Sequence, residues 1–386
     1  GNTPPAGTPP PFLGRPRLSG GGWRGGAGPA RLAPRLAPPG CRGHPPAPAE
    51  PAPAPPGGAP APPPAPAGPG CRAAGIAAEQ CAEGFASDGL GGCDPLLPAA
   101  PCEPGTMATP GDAQCREIAP CGDGPWGDIE IADDTQLVDG SYSGSDSDGT
   151  VDRPWTTIGE AIAAANPGAT VAVAAGSYTE DVLIAAKPTV LWGRCPAMVE
   201  IVGHTTGQGM AAVMILGGAE GTVVRGVAIT GPAFGIASSG STDVVVAEVW
   251  VHDTQRRGVV TEGAYGVGSL TVTGALVESA SDIGVMAYGV PLVLEHSVVR
   301  GTVPGSGSGR GVVARHGATI AVRSSVIAGN HDHGMVFGGA TAEVDASVVR
   351  DTLPDSWGEF GGGILAQKDS NTQEPAVVTV SGSVVA

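Results

Sequence analysis

Charged side chains recur in the polar turns that precede one repeated glycine in the second half of the chain. If these turns stack, their carboxylates, guanidinium groups and imidazoles lie close enough together for acid–base chemistry, cation binding or ligand contacts. The alternative is a solvated edge whose alternating charges suppress lateral association. The candidate ligand-binding residues on this turn edge are Asp253, Arg256, Arg257, Asp282, Arg310, His331, Asp332 and His333.

Two mechanisms of polysaccharide cleavage can be compared with the residues of this turn edge. Elimination from a uronate sugar needs a carboxylate cluster that holds calcium and a Lys or Arg base. Arg257 and Arg310 beside Asp282 and Asp332 are the nearest match, but these carboxylates come singly. Inverting hydrolysis needs two carboxylates about 6.5–9.5 Å apart, and no pair stands out. The pattern favours non-catalytic carbohydrate recognition or surface structure. A polysaccharide lyase, epimerase or hydrolase is the alternative, without assignable catalytic residues.

Two segments raise the question of a metal ion. In a β-run alternate residues share a face, so His331 and His333 could converge, with His252 or His316 on neighbouring coils assisting. Polar turn residues exposed to solvent are the competing interpretation. A Gly- and Asp-rich turn offers carboxylates for calcium, although such turns also simply bend the chain. Its carboxylates are Asp146, Asp148 and Asp152. The sequence predicts no obligatory cofactor. Calcium is the metal ion that these side chains could bind.

The elements that must position these side chains repeat along the chain. A glycine followed by an aliphatic residue returns at steps of 23 to 29 residues, by subtraction of residue numbers. A period of this length indicates a solenoid or stacked array. The repeated pairs are Gly235-Ile236, Gly258-Val259, Gly284-Val285, Gly311-Val312, Gly334-Met335 and Gly363-Ile364.

A second aliphatic position recurs with the glycine and indicates three strands of about four residues in each coil. Stacked coils at roughly 4.8 Å would line the interior with aliphatic columns, which is a parallel β-helix. Left-handed β-helices built from hexapeptides keep repeat lengths that are multiples of six, and these steps are not. We therefore predict a right-handed helix with insertions in one family of turns. The recurring positions are Ile229, Val251, Val277, Val299, Ile327 and Val349.

Composition and charge narrow the function classes. The 386 residues include 64 glycines and 39 prolines, with 4% aromatic residues, which fits a Gly- and Val-rich solenoid better than a helical globule. The net charge is -17. An acidic protein repels nucleic acid and anionic membrane surfaces. The sequence contains no apolar run of about 20 residues, which is the length needed to span a bilayer. We therefore expect no nucleic-acid partner, no membrane span and a monomer.

The first 125 residues differ from the repeat region. Residues 1–70 are rich in Pro, Ala, Gly and Arg and cannot bury a core, so they are predicted to be disordered, unless they are non-native translation of GC-rich DNA. In residues 71–125, loop-rich cysteine spacing without paired knuckles predicts disulfides rather than zinc. Disulfides imply an extracellular or outer-surface location, and we expect this module to be independent of the solenoid. Its cysteines are Cys71, Cys81, Cys93, Cys102, Cys115 and Cys121, which allow fifteen connectivities.

A lead-in and a helix connect this module to the repeats. Residues 126–168 contain the capping-box pattern from Thr157 to Glu160, and the predicted helix stops at Asn166-Pro167-Gly168. Its apolar stripe would cover the open end of the solenoid, which occupies residues 169–386. Because the chain ends inside the repeated phrase, we expect further coils beyond Ala386.

The lead-in, the helix and the first strands of the solenoid resemble those of a known protein family. The stretch from Asp139 to Ile184 resembles the entry coil of right-handed β-helix repeat proteins in the pectin-lyase-like superfamily. The Cys-rich lead-in followed by Leu191-Trp-Gly-Arg-Cys195-Pro is similar to secreted or lipid-anchored surface proteins of this type from GC-rich Gram-negative bacteria. The resemblance implies an all-β fold, a right-handed parallel β-helix with an N-terminal capping helix. It says little about activity.

Overall fold

The computed structural model describes residues 78–206, 210–305 and 308–386. In these ranges the chain is an all-β, parallel β-solenoid with one short helix near its N-terminal end, which confirms the predicted fold class. The predicted disordered residues 1–70 and Cys71 lie outside the described ranges. No helix within those ranges has the length and apolarity needed to cross a membrane.

The described chain begins with the Cys-rich segment, which holds a short 3-10 helix (Ala78–Gln80) and two small antiparallel hairpins. The strands of the hairpins are β1 (Phe85–Ser87), β2 (Cys93–Pro95), β3 (Thr106–Met107) and β4 (Arg116–Glu117). Strands throughout the chain are numbered in sequence order.

Each later coil contributes one short strand to each of three parallel sheets, as the repeat predicted. Sheet 1 consists of β5 (Gln136–Val138), β6 (Thr170–Val173), β9 (Val190–Gly193), β12 (Val223–Arg225), β15 (Val244–Ala247), β18 (Leu270–Thr273), β21 (Leu292–Glu295), β24 (Thr319–Arg323), β27 (Thr341–Asp345) and β30 (Val377–Ser381). Sheet 2 consists of β7 (Gly176–Tyr178), β10 (Val199–Val202), β13 (Ala228–Thr230), β16 (Trp250–His252), β19 (Leu276–Glu278), β22 (Val298–Arg300), β25 (Val326–Ala328), β28 (Val348–Arg350) and β31 (Val384–Val385). Sheet 3 consists of β8 (Val182–Ile184), β11 (Ala211–Leu216), β14 (Phe234–Ser239), β17 (Val259–Glu262), β20 (Ile283–Tyr288), β23 (Arg310–Arg315), β26 (His333–Gly338) and β29 (Gly362–Gln367).

The two repeated sequence positions meet at one corner of each coil. The aliphatic residues of sheet 2 stack in register, for example Val277 on Val299, and are fully buried. The repeated glycine at the start of sheet 3 packs against this column. A Cβ added at Gly258 would lie 2.6 Å from Val277 Cγ1 and 2.7 Å from the carbonyl oxygen of Gly284. Any larger residue would therefore force the corner apart.

The turns between sheets differ in length. A single left-handed residue, such as Glu248 (φ 52°) or His296 (φ 46°), helps to make the short turn from sheet 1 to sheet 2. Turns from sheet 2 to sheet 3 vary from residues 231–233 to residues 351–361, and turns from sheet 3 to sheet 1 vary from residues 339–340 to residues 368–376. The prediction that insertions fall in one family of turns is therefore wrong, because both families that flank sheet 3 carry them.

The helix α1 (Ile158–Ala164) covers the N-terminal end of the solenoid, as predicted, with Ile158 and Ile162 in the core. The Thr157 hydroxyl accepts a hydrogen bond from the backbone N–H of Glu160. The Glu160 carboxylate accepts one from the Thr157 hydroxyl, and Glu180 from the first coil accepts the N–H groups of Ile158 and Gly159. Backbone donors at the helix start are thus partly satisfied by the solenoid itself.

The Cys-rich segment is joined to the solenoid, so its predicted independence is wrong. Its disulfides are Cys81–Cys93, Cys102–Cys115 and Cys121–Cys195, the last of which crosses to the solenoid. Phe85, Met107 and Ile118 pack on the outer face of sheet 2. The misprediction has a simple cause: Cys195 lies far from the cysteine cluster in sequence, and apolar residues on the outer face of a strand cannot be distinguished from core residues by composition.

We predict that Val299→Asp lowers the free energy of unfolding by roughly 4 kcal/mol, because it buries an unpaired charge in the aliphatic column. The matched control is Val293→Asp, at a partly exposed position on the outer face of sheet 1. Urea unfolding followed by circular dichroism measures both. Equal losses in the two variants would contradict the column assignment.

We also predict that Cys121→Ala with Cys195→Ala destabilises the protein more than Cys81→Ala with Cys93→Ala. The first pair is separated by 74 residues and the second by 12. Loop-closure entropy gives about 4 kcal/mol for the first and about 3 kcal/mol for the second. Thermal unfolding of the two double variants under oxidising conditions tests this order, and a reversed order would refute it.

Candidate functional site

The outer face of sheet 3 carries three columns of side chains between the two variable families of turns. The middle column is apolar and in register from β11 to β29. It forms an apolar cluster separate from the solenoid core, and most of its members are almost fully buried. This column is therefore the floor of the face. Its residues are Met214, Ala237, Val260, Met286, Val313, Val336 and Leu365.

The front column lies beside the turns from sheet 2, which are the turn edge predicted from the sequence. Within it, the guanidinium of Arg257 lies 5.5 Å from the centroid of the Phe234 ring. Arg257 Nε is 3.6 Å from Asp282 Oδ2, and the Ser308 hydroxyl donates to Asp282 Oδ1 over 3.0 Å. The front column consists of Ala211, Phe234, Arg257, Ile283, Arg310, His333 and Gly362.

Asp332 links two front-column residues. Its Oδ2 accepts a hydrogen bond from Arg310 Nε at 2.5 Å, and its Oδ1 lies 2.5 Å from His333 Nδ1. The Asp332 side chain is buried and its backbone is left-handed, with φ 61°. Asp tolerates this conformation better than most residues, which explains its place immediately before a strand. The arrangement holds one guanidinium and one imidazole on the same carboxylate.

The longest turn, residues 351–361, presents aromatic rings beside this column. Asp355 Oδ1 accepts the backbone N–H groups of Trp357 and Glu359, which ties the turn into a compact loop. Trp357 is 71% exposed and Phe360 is 67% exposed. The Phe360 ring centroid is 5.3 Å from that of His333. Exposed aromatic rings therefore stand at the front of the face near its C-terminal end.

The back column lies beside the turns that lead to sheet 1, and it carries the polar groups that the sequence interpretation missed. Glu262, Tyr288 and Arg315 follow one another in register. Glu262 Oε1 and Arg315 Nε are buried and have no hydrogen-bond partner among the described groups. The full column is Leu216, Ser239, Glu262, Tyr288, Arg315, Gly338 and Gln367.

Burial perturbs the ionisable groups of the back column. It raises the pKa of Glu262 above its ordinary value, an effect that Arg257 partly opposes. Burial, together with the nearby positive charge of Arg310, lowers the pKa of Arg315. The pKa of Tyr288 is raised, mainly by burial. The charged forms of Glu262 and Arg315 are thus both incompletely solvated on an outward face, which is typical of functional sites.

A histidine and a carboxylate support the rear of the face. The His316 ring lies 4.1 Å from the Tyr288 ring, and His316 Nδ1 is 3.4 Å from Asp369 Oδ2. Asp369 also accepts the backbone N–H groups of Asn371 and Thr372. The long turn after β29 is therefore anchored against Tyr288.

The structure brings together five of the predicted ligand-binding residues, namely Arg257, Asp282, Arg310, Asp332 and His333. The contacts found for the other three involve residues outside this group. Asp253 is exposed and contacts His252 Nδ1 at 3.0 Å. The Arg256 carbonyl accepts the Thr254 hydroxyl, and His331 Nδ1 lies 2.9 Å from the Thr302 carbonyl oxygen.

The predicted convergence of His331 and His333 relies on a continuous β-run. The left-handed Asp332 between them interrupts the β-run, so alternate residues no longer share a face. His252 and His316 contact other carboxylates, at Asp253 and Asp369. In the described parts of the chain, no group of three or more His, Cys, Asp or Glu could hold a metal ion.

Two carboxylates of the acidic turn before α1 contact other side chains of the same turn region. Asp146 and Asp148 both pair with Arg153, and Asp146 accepts the Tyr142 hydroxyl at 2.7 Å. Asp148 also accepts the Thr150 hydroxyl at 2.7 Å. These contacts account for the turn as a structural element. Calcium binding by Asp146, Asp148 and Asp152 stays a prediction.

The missed residues had a positional signal in the sequence. Glu262, Tyr288 and Arg315 each lie four residues after a repeated glycine, at Gly258, Gly284 and Gly311. The glycine and the aliphatic residue after it both lie at the corner. Side chains alternate between faces along the strand from there, so the residue four positions after the glycine lies at the back of the outer face. Reading this offset coil by coil would have found the column.

Comparison with known proteins gives one family and several distant structures. Residues 142–351 match the family described as "Protein of unknown function (DUF1565)". No curated protein matches the sequence significantly. Pectin methylesterase from Aspergillus niger is similar with a TM-score of 0.41 and 13% identity, over 66% of this chain and 86% of that chain. Pectin methylesterase from carrot gives 0.38 and 12%, over 66% and 90%, and pectate lyase Pel9A gives 0.33 and 16%, over 65% and 78%.

These structural similarities are too weak to support an argument about activity. The family match is stronger, because it covers more than half of the chain and runs from the lead-in before α1 through β28. It also confirms the resemblance to β-helix repeat proteins. The chain belongs to the DUF1565 family of β-helix proteins.

Proposed function

We propose that this protein binds a polysaccharide along the outer face of sheet 3. The observation that carries the proposal is the pair of buried, unpartnered polar atoms, Glu262 Oε1 and Arg315 Nε, on an outward face. Leaving such an atom without a hydrogen bond costs about 1–3 kcal/mol. A sugar hydroxyl can donate to the Glu262 carboxylate, and sugar hydroxyl and carboxylate oxygens can accept from the Arg315 guanidinium, so a bound chain would supply hydrogen bonds to these two side chains.

The shape of the face suits a chain ligand. Sheet 3 has eight strands, and a spacing of about 4.8 Å gives a face roughly 34 Å long. The apolar cluster of the face includes the partly buried Leu216 and Leu365, whose accessible surface matches the C–H faces of sugar rings. Tyr288, Trp357 and Phe360 add aromatic rings that have both apolar and polar contact surface. An extended polymer fits this arrangement better than a compact small molecule.

The charge of the face supports a carboxylated glycan. The chain as a whole carries a net charge of -17, yet Arg257, Arg310 and Arg315 all lie on this face. Asp282 and Asp332 offset the first two guanidinium groups. Arg315 remains the guanidinium with an unpartnered Nε, and guanidinium groups bind carboxylates through paired hydrogen bonds.

The disulfides support a location outside the cytoplasm. Three disulfides in the described residues fit an oxidising compartment. We therefore propose an extracellular or outer-surface protein that meets its polysaccharide outside the cell and acts as a monomer. Its acidic charge argues against a nucleic-acid partner.

The proposal predicts that replacing Arg257, Arg310 and Arg315 with Ser weakens binding of oligogalacturonate at low salt by roughly tenfold or more. The control replaces three exposed, ion-paired arginines elsewhere, Arg116, Arg153 and Arg323, with the same change in net charge. Isothermal titration calorimetry measures both variants, with circular dichroism as the folding check.

Three outcomes are informative. Loss confined to the sheet 3 variant supports the proposal. Equal loss in the control variant indicates attraction by net charge alone and refutes a specific face. No binding by the wild-type protein to charged or neutral oligosaccharides would overturn the proposed function.

A polysaccharide lyase, epimerase or hydrolase is the second candidate, and the pair of Asp332 and His333 is the observation that favours it. Asp332 fixes His333 Nδ1 as the donor, which leaves Nε2 as a proton acceptor. This candidate predicts turnover of a uronate polymer by the wild-type protein and a loss of roughly 100-fold in His333→Gln. Assays for reducing ends and for unsaturated products test it. Turnover that persists in His333→Gln would remove His333 from the reaction.

A further inference from the structure

Glu262 is the one carboxylate among the three described columns of sheet 3. Its neighbours in the back column are Ser239 on the preceding strand and Tyr288 on the following strand. Its side chain is buried, with 8% of the residue exposed, and Oε1 has no hydrogen-bond partner among the described groups. A carboxylate in this place is costly unless a proton or a ligand compensates it.

The other charges around the face are largely committed elsewhere. Arg257, in the turn before the strand of Glu262, lies 3.6 Å from Asp282, and Arg310 is held by Asp332. At the rear, His316 pairs with Asp369. Arg315 lies two strands further along the back column, with Tyr288 between it and Glu262. Glu262 therefore has no dedicated counter-ion among these groups.

We propose that Glu262 sets the charge selectivity of this face. In its protonated form it donates a hydrogen bond to a carboxylated sugar, and in its ionised form it repels that sugar. This inference rests on the proposed polysaccharide binding and adds to it a preference for carboxylated glycans that depends on pH.

The direction of the pH dependence follows from the environment of the side chain. Burial raises the pKa of Glu262, and Arg257 opposes this only in part. The neutral form therefore persists to higher pH than in an exposed glutamate. Affinity for a carboxylated glycan is full below the pKa of Glu262 and falls as the pH rises through it. Affinity for an uncharged glycan changes less, because no repulsion appears.

The test compares oligogalacturonate with the same oligosaccharide in fully methyl-esterified, uncharged form, between about pH 5 and pH 8 at constant ionic strength. The proteins are the wild type, Glu262→Gln and the control Glu343→Gln. Glu343 is an exposed residue of sheet 1 that pairs with Arg323, so the control makes the same charge change away from the face. A 13C NMR titration of the Glu262 carboxyl group gives its protonation without any glycan.

The wild type and Glu343→Gln should lose affinity for the charged oligosaccharide by roughly tenfold as the pH rises, which corresponds to about 1.4 kcal/mol. Glu262→Gln should keep the higher affinity across the range. If His316 or His333 caused the effect, Glu262→Gln would retain the pH dependence, and the inference would be wrong.

Two further results separate this inference from the proposed function. Binding of the charged oligosaccharide that is equal at every pH in the wild type, or a Glu262 carboxyl group that titrates like an exposed glutamate, overturns the role of Glu262 and leaves polysaccharide binding standing. Absence of binding to either oligosaccharide at any pH overturns both.

Discussion

The contact between the repeated glycine and the aliphatic column of sheet 2 governs the rest of the structure. At Gly258 an added Cβ would meet both Val277 and the carbonyl oxygen of the next repeated glycine, so the corner closes only when the side chain is absent. Once closed, each coil places its sheet 2 residue on the one below, as Val299 lies on Val277. Coils can then differ in turn length without losing register, because the corner and not the turn sets the stacking.

This tolerance explains where chemistry can accumulate. Both families of turns that flank sheet 3 vary in length, whereas the turn between sheets 1 and 2 has two residues in each described coil except one, in which it spans residues 194–198. The outer face of sheet 2 is covered by the Cys-rich segment, which is held by apolar packing and by the disulfide between Cys121 and Cys195. Sheet 3 has an outer face bordered by long turns, on which Glu262 and Arg315 keep unpartnered polar atoms.

The fold was predictable because its governing contact involves residues of fixed type. Only glycine fits the corner, and only aliphatic residues such as Val299 fill the column, so both positions recur visibly in the sequence. The front of the site was partly predictable, since Arg257 and Arg310 lie beside that glycine. The roles predicted for Arg256 and His331 stay predictions, because their contacts are those of the Arg256 carbonyl with Thr254 and of His331 Nδ1 with the Thr302 carbonyl.

The back column was harder to predict, because the fold fixes where its residues lie but does not require any particular residue type there. Four residues after the glycine stand Ser239, Glu262, Tyr288, Arg315 and Gly338, which share no chemistry. The disulfide partner of Cys121 was equally hidden, because pairing depends on the packing of a segment against a sheet and not on spacing. In both cases three-dimensional placement supplied information that no local pattern carries.

The most direct test of the account is a crystal structure of the protein with a bound oligogalacturonate. We expect the sugar chain to lie along sheet 3 over Met286 and Val313, with a carboxylate or hydroxyl oxygen within hydrogen-bond distance of Arg315. A sugar chain bound on sheet 1, or on the Cys-rich segment, with the outer face of sheet 3 left free at saturating ligand, would contradict it.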